Sequence, residues 1–340
     1  MEYRTLGRTG IQVSSLCLGT MMFGKWGNPD EKECGRIVDV ALAAGVNFVD
    51  TADMYDDGVS EEILGAALVG RRDDVVLATK FHNPMGVDPN HRGNSRRWVT
   101  TAVEDSLRRL QTDWIDLYQV HRPDPHTDID ETLGALSDLV HAGKVRAIGT
   151  STFPAELLVE GAYVAERRGR ERFATEQPPY SIFARGIERD VLPTVERLGL
   201  GVLVWAPLNG GWLSGKYRKG AAAPAGSRAL RQADHFDWDT PQAAHKLDVV
   251  EGLVRLADEV GSSLPRLAVA FTLAHRAITS AIVGPRTSEQ LESMLGAEAV
   301  RLDDAALDRI DELVPPGTNL NEDNAGYVPP ALLDARLRRR

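Results

Sequence analysis

The chain has 340 residues, 43% of them hydrophobic and 6% aromatic, and a formal net charge of −10. That length allows two domains or one barrel-sized domain with a large core, and the negative balance argues against nucleic acid or an anionic membrane as partner. Two cysteines, Cys17 and Cys34, are too few for a disulfide framework and lack metal-ligand spacing; with no run of membrane-spanning length and an opening Met-Glu-Tyr-Arg that resembles no leader, a reducing cytoplasm is the expected location.

The first signal is a hairpin, in which segments 3–6 and 11–14 flank the turn Gly7-Arg8-Thr9-Gly10. Short apolar runs then alternate with amphipathic helical patterns. Strands are predicted at 15–18, 47–50, 75–79, 115–120, 145–149, 173–175, 202–205 and 280–283, most of them continuously apolar, like parallel strands covered on both faces. Asp30 with Glu33 predicts a capping box ahead of the stripe Ile37, Val40, Ala41, Ala44, which Gly45 stops. Ser60 gives the start signal, as a cap, before Ile63, Leu64, Ala67 and Leu68, and Gly70 behind them the stop. Val99, Val103, Leu107 and Leu110 share one helix face. Asp128 with Glu131 opens the stripe Ile129, Leu133, Leu136, Val140, which Gly143 ends. Cys17 reads as core and Cys34 falls on a helix.

Eight strands with helices between them predict an α/β fold, a closed (β/α)8 barrel preceded by a β-hairpin, over an open doubly wound sheet. No strand is followed by Gly-x-Gly-x-x-Gly, so any nucleotide binds by other means. One domain, 1–340, is expected, with its core at about 15–313 and a C-terminal loop and tail at 314–340, whose Arg-rich end, 336–340, reads as solvated. Segments 82–96, 207–241 and 314–340 are too long for plain connectors, and such loops tend to be functional.

The carboxyl ends of parallel barrel strands open on one face, so polar residues there carry the most weight. Asp50, Lys80 and His121 each close an apolar run, and Tyr55 follows Asp50 by one loop. A phenol, with an ordinary pKa of about 10, is a weak acid at neutrality, and an ammonium within a few ångströms lowers that value by roughly 1–3 units. Lys80 can supply the ammonium, Asp50 can hold it in place, and His121 can orient a substrate oxygen against Tyr55. Singly, Asp50 reads as a cap, Tyr55 as a surface aromatic, and His121 as a core residue or a metal ligand in a hydrolase barrel. Lys80 is harder to dismiss, because an unpaired buried ammonium is costly. No second histidine stands at convincing ligand spacing. Together, on three successive strand ends, the four make a strong signal.

The segments Val49-Asp50-Thr51-Ala52-Asp53-Met54-Tyr55, Leu77-Ala78-Thr79-Lys80 and Asp116-Leu117-Tyr118-Gln119-Val120-His121 resemble the catalytic segments of the aldo-keto reductases, in the same order. The likeness is nearest to the bacterial short-loop branch related to potassium-channel β-subunits. It implies an eight-stranded barrel, a tetrad of Asp50, Tyr55, Lys80 and His121, and hydride transfer from NADPH to an aldehyde or ketone with tyrosine giving the proton. It also implies that Gly19, Thr20 and Asp50 border the cofactor, that Ser151 and Gln177 bond the nicotinamide carboxamide, and that Trp205 stacks on the ring. Ala206, Leu208, Gly210, Ser214 and Lys216 match the pyrophosphate loop. Gly284, Arg286 and Gln290 match the segment meeting the adenosine 2′-phosphate, where helix-start amides and an arginine suit a dianion and favour NADPH over NADH. The family usually has asparagine at Thr152 and a Glu-Asn pair where Ser293-Met294 stands, so this chain departs at one carboxamide contact and at the adenine.

Three functions compete: a reductase, an NADPH-binding sensor with little turnover, and a metal-dependent hydrolase. The tetrad favours the first, with no metal. Met21, Trp26 and Phe81, with Tyr55 and His121, are the expected substrate-pocket lining, and the partner is a small carbonyl compound whose identity the sequence leaves open, as it does the oligomeric state.

Overall fold

β1 (Tyr3–Thr5) and β2 (Gln12–Ser14) pair antiparallel, with Tyr3 opposite Ser14, around the predicted turn. In the computed structural model residues 1–231, 236, 238–322 and 325–339 are described; Arg340 and parts of the long segments 207–241 and 314–340 lie outside them. Leu6 and Val13 of the hairpin region meet Cys17, Phe48, Ala78, Leu117, Ala147, Leu203 and Ile282 in one buried cluster, so the hairpin plugs the floor of the barrel. Gly7, at φ 55°, lies so close that a Cβ there would stand 2.5 Å from the Ala174 carbonyl oxygen. Only glycine fits that turn without a shift.

Eight parallel strands close the barrel: β3 (Leu16–Gly19), β4 (Phe48–Asp50), β5 (Val76–Phe81), β6 (Ile115–Val120), β7 (Val145–Ser151), β8 (Thr175–Gln177), β9 (Gly201–Val204) and β10 (Ser280–Val283), which returns to β3. Each lies within two residues of its predicted position. The register sets Gly19 beside Asp50, Lys80 beside Gln119, and Ser151 beside Gln177, bringing the polar strand ends to one rim.

The surrounding helices are α1 (Glu31–Ala43), α2 (Val59–Ala67), α3 (Arg96–Leu110), α4 (Ile129–His141), α5 (Ala155–Arg168), α6 (Val191–Leu198), α8 (Pro241–Glu259), α9 (Leu264–Ala274) and α11 (Asp304–Leu313); shorter pieces are α7 (Arg228–Arg231), α10 (Ser288–Glu292) and α12 (Pro330–Leu333). The main core lies between them and the outward faces of the strands. Asp30 caps α1, accepting from the amides of Lys32 and Glu33, and Asp128 caps α4. Two expectations change. Glu33 leaves the capping box unclosed and accepts instead from Ser288 N and Oγ at 2.7 and 2.9 Å, tying α1 to α10. Ser60 sits inside α2 with Gly58 as the cap, and its buried hydroxyl donates to the Thr20 carbonyl. No helix among the described residues is long and apolar enough to cross a membrane.

Candidate active site

Lys80 is fully buried at the rim of β5, and its Nζ donates to Asp50 Oδ1 (2.5 Å), the Thr51 carbonyl (2.8 Å) and the Tyr55 hydroxyl oxygen (3.2 Å). Asp50 Oδ2 accepts from Gln119 Nε2 (3.1 Å) and Gln177 Nε2 (2.9 Å), so both oxygens of this buried carboxylate are satisfied. Burial alone would strip Lys80 of its proton, but Asp50 and Tyr55 hold the ammonium above the ordinary lysine range. For Tyr55 the balance runs against the sequence expectation. Burial pushes the phenol above its ordinary value, and Lys80 pulls it only part of the way back, with the carboxylate of Asp50 opposing it. The phenol is therefore protonated throughout the neutral range. An ammonium can only donate, so the Tyr55 oxygen accepts from Lys80 and its own proton is free for another acceptor.

Tyr55 begins a tight turn, Tyr55–Gly58, in which Asp56 and Asp57 take left-handed φ values of 49° and 55°. Asp56 Oδ2 accepts from Lys25 N at 2.8 Å, fixing the loop that carries Trp26, whose ring lies 6.4 Å from that of Tyr55. His121 stands edge-on to Tyr55, with ring centroids 5.9 Å apart. Burial, then the cations Lys80 and Arg122, hold its imidazole well below the ordinary histidine range, so the ring is neutral. Asn83 Nδ2 lies 3.2 Å from His121 Nδ1. That amide donates into Nδ1, which leaves the ring proton on Nε2 as a donor.

Arg122 follows His121 directly. Its Nη1 donates to the His121 carbonyl (2.7 Å), Thr152 Oγ1 (3.0 Å) and Ser151 Oγ (3.5 Å). Thr152 has φ 59°, a conformation that asparagine tolerates better than a β-branched residue. The bond from Arg122 accounts for threonine holding this corner. Behind it Glu176 is buried, accepting from Thr150 Oγ1 (2.5 Å) and Phe153 N (3.0 Å), and burial pushes its carboxyl up to about 7.

These residues border a cavity of about 560 Å³. Gly19, Met21, Trp26, Asp50, Tyr55, His121, Ser151, Gln177 and Trp205 all line it. So do Ala206, Leu208, Gly210, Ser214 and Lys216 from the glycine-bearing loop, and Gly284, Arg286 and Gln290 beyond β10, with Ser293 and Met294 where the departure at the adenine falls. Gly210 and Gly211 have φ values of 66° and 105°, which bring backbone to the wall with no side chain in the way. Lys80 lies under the floor, reaching it through Tyr55.

Three expectations fail. Phe81 lies on the opposite face of β5 from Lys80, packed in the outer core with its ring 4.9 Å from that of Tyr118, because successive strand residues alternate sides. Thr20 is buried away from the cavity, its Oγ1 2.9 Å from Ser60 Oγ. The helix-start amides are largely spent: Arg286 N donates to Gln290 Oε1 (2.9 Å), Ser288 N to Glu33 Oε1 (2.7 Å) and Gln290 N to Thr287 Oγ1 (3.3 Å). Cations replace them. Arg228 and Arg231 of α7 line the cavity with Lys216 and Arg286, and Arg228 and Arg286 are held below the ordinary guanidinium range by burial first and then by Arg231. A bound phosphate would relieve this crowding, so the residues present fit a phosphorylated nucleotide. Among the described residues no group of three His, Cys, Asp or Glu could hold a metal ion.

Sequence reasoning missed Gln119, Arg122, Met54, Arg228 and Arg231. A glutamine within an apolar strand was the available signal for Gln119, and the length of 207–241 for the two arginines. That segment is anchored by the clustered rings of Trp212, Tyr217, Phe236 and Trp238.

Residues 15–315 match the family model described as "Aldo/keto reductase family". The chain is 42% identical over 327 residues to "Uncharacterized oxidoreductase YrpG" of Bacillus subtilis, covering 93% of this chain and 96% of that protein. It is 38% identical over 299 residues to "Aldo-keto reductase YhdN" of the same organism, covering 86% and 88%. It is also 35% identical over 324 residues to a "Probable voltage-gated potassium channel subunit beta" of Arabidopsis thaliana, covering 92% and 97%.

Proposed function

The chain belongs to the aldo/keto reductase family of oxidoreductases acting on carbonyl compounds, and from that footing we propose that it reduces an aldehyde or ketone to an alcohol with NADPH, using Tyr55 as general acid. The observation that carries the reading is the direction of one hydrogen bond: Lys80 donates into the Tyr55 oxygen at 3.2 Å, so the phenolic proton is available to a substrate. A reduced nicotinamide, when bound, supplies hydride to the carbonyl carbon. His121 Nε2–H orients the carbonyl oxygen, and Tyr55 gives that oxygen its proton. Lys80 stabilises the phenolate left behind, Asp50 keeps Lys80 charged, and solvent returns the proton to Tyr55.

Ser151 and the free Oε1 of Gln177 would hold the carboxamide, and Trp205 and Gly19 would hold the ring. Ala206, Leu208, Gly210, Ser214 and Lys216 would hold the pyrophosphate. Gly284, Arg286 and Gln290, joined by Arg228 and Arg231, would hold the 2′-phosphate, which supports NADPH over NADH. The Tyr55→Phe variant tests the assignment. Loss of a positioned acid lowers turnover by about 10²–10⁴, while NADPH should still quench tryptophan fluorescence; unchanged turnover refutes it. The similarity to channel β-subunits supports a second reading, an NADPH-binding regulatory protein. Tight NADPH binding with no consumption across a panel of aldehydes would select it.

A further inference from the structure

At the chemical end of the cavity the positive charge is not fully matched. The Lys80 ammonium is matched by Asp50 at 2.5 Å. Arg122 also lines the cavity, but among the described residues only its Nη1 finds hydrogen-bond partners, and no carboxylate lies within ion-pair distance of its guanidinium. Its Nε and Nη2 are not among the sealed, unpartnered polar atoms, so they meet open space. The acidic groups acting on it are Tyr55 and then Glu176, whose two oxygens are already engaged by Thr150 and Phe153.

Two groups of cations thus border one cavity. Arg228, Arg231 and Arg286 act on one another and suit the cofactor's phosphates. Arg122 stands apart from them, acting on Tyr55 and His121, where the carbonyl would bind. A partly buried guanidinium with spare donors is a site for an oxyanion, two of whose oxygens its fork matches with two parallel hydrogen bonds. A substrate lacking such a group leaves those donors unpaired, which is how a polar site discriminates strongly.

We propose that Arg122 selects carbonyl substrates that carry an anionic group, a carboxylate or a phosphate, alongside the carbonyl addressed by Tyr55 and His121. The inference rests on the reductase reading and adds a substrate class to it.

The test uses the full chain with NADPH and three para-substituted benzaldehydes, the 4-carboxy, the 4-phosphate ester and the neutral 4-carbamoyl compound, beside benzaldehyde itself. We expect kcat/KM for at least one anionic aldehyde to exceed that of the carbamoyl compound by about tenfold or more. In Arg122→Gln that ratio should fall toward one, and Arg122→Lys should restore part of it. The two anionic arms show which oxyanion is preferred. Should Arg122→Gln fail to fold, inhibition of the wild-type protein decides: benzoate should compete with the aldehyde about tenfold better than benzamide. A ratio near one in the wild-type protein, or one that survives in Arg122→Gln, overturns the proposal alone, because the neutral aldehydes are still reduced. Turnover of none of the four overturns the reductase reading and this inference with it.

Discussion

Replacing Lys80 by methionine removes one charge while keeping the volume of the stem. At 3.2 Å from the Tyr55 oxygen, and with an effective dielectric of about 20, the ammonium favours a phenolate by roughly 5 kcal/mol before neighbours are counted. Asp50, 2.5 Å from the same ammonium, opposes that field in the wild-type protein and in the variant alike, so its own effect cancels and the loss on removing Lys80 stays at about 5 kcal/mol at most. If half or more of this is expressed when Tyr55 gives up its proton, kcat falls about 10²- to 10⁴-fold. Stability should fall too, since removing one partner of a buried ion pair typically costs about 3–5 kcal/mol; Gln119 and Gln177, still donating to Asp50 Oδ2, place this case at the low end. The double variant Asp50→Asn/Lys80→Met separates the two effects, because it leaves no buried carboxylate to compensate. It should regain most of the unfolding midpoint in urea but, with the opposing carboxylate gone and no ammonium in its place, only part of the rate, read as single-turnover NADPH oxidation at saturating cofactor. A single variant within about threefold of wild-type rate, or a double variant that recovers the full wild-type rate together with stability, would refute the electrostatic reasoning.

Arg286→Ala should raise KM for NADPH about 10- to 100-fold, since charge-assisted contacts to a phosphate are strong, and should shift the NADPH/NADH preference by the same factor in steady-state assays. An equal change with both cofactors would place Arg286 outside the 2′-phosphate site. Glu176 sets a pH dependence of stability. Its carboxyl is raised from the ordinary 4.5 to about 7, so between those values the folded chain keeps a proton that the unfolded chain releases. Stability should therefore be highest below the lower value and decline across the window by on the order of 3 kcal/mol. Urea unfolding at pH 5 and pH 8 should show this decline in the wild-type protein and a flatter response in Glu176→Gln; parallel behaviour would exclude Glu176 as its source.

The barrel was legible because a parallel strand covered on both faces must be apolar along its length. A lysine or aspartate closing such a run therefore stands out without any knowledge of its neighbours. That argument found Asp50, Lys80 and His121, and the short loop after β4 kept Tyr55 in reach. It failed where a residue's side of the strand mattered: Phe81 follows Lys80 in sequence and faces the other way. It also failed where a polar side chain had a distant partner to choose. Glu33 had the spacing of a capping box but is taken by Ser288, and Ser60 had the look of a cap but joins α2 to the Thr20 corner.

Residue order by itself determined the eightfold alternation, the rim of polar strand ends and the candidate acid, because these depend on period and on the cost of burying charge. Only the folded arrangement decided the electrostatic balance. The phenol of Tyr55 moves up because burial outweighs an ammonium already shared with Asp50, and Arg122 keeps two free donors because no carboxylate among the described residues approaches it. Such sums run over atoms from strands far apart in the chain, and a linear pattern carries no information on their distances.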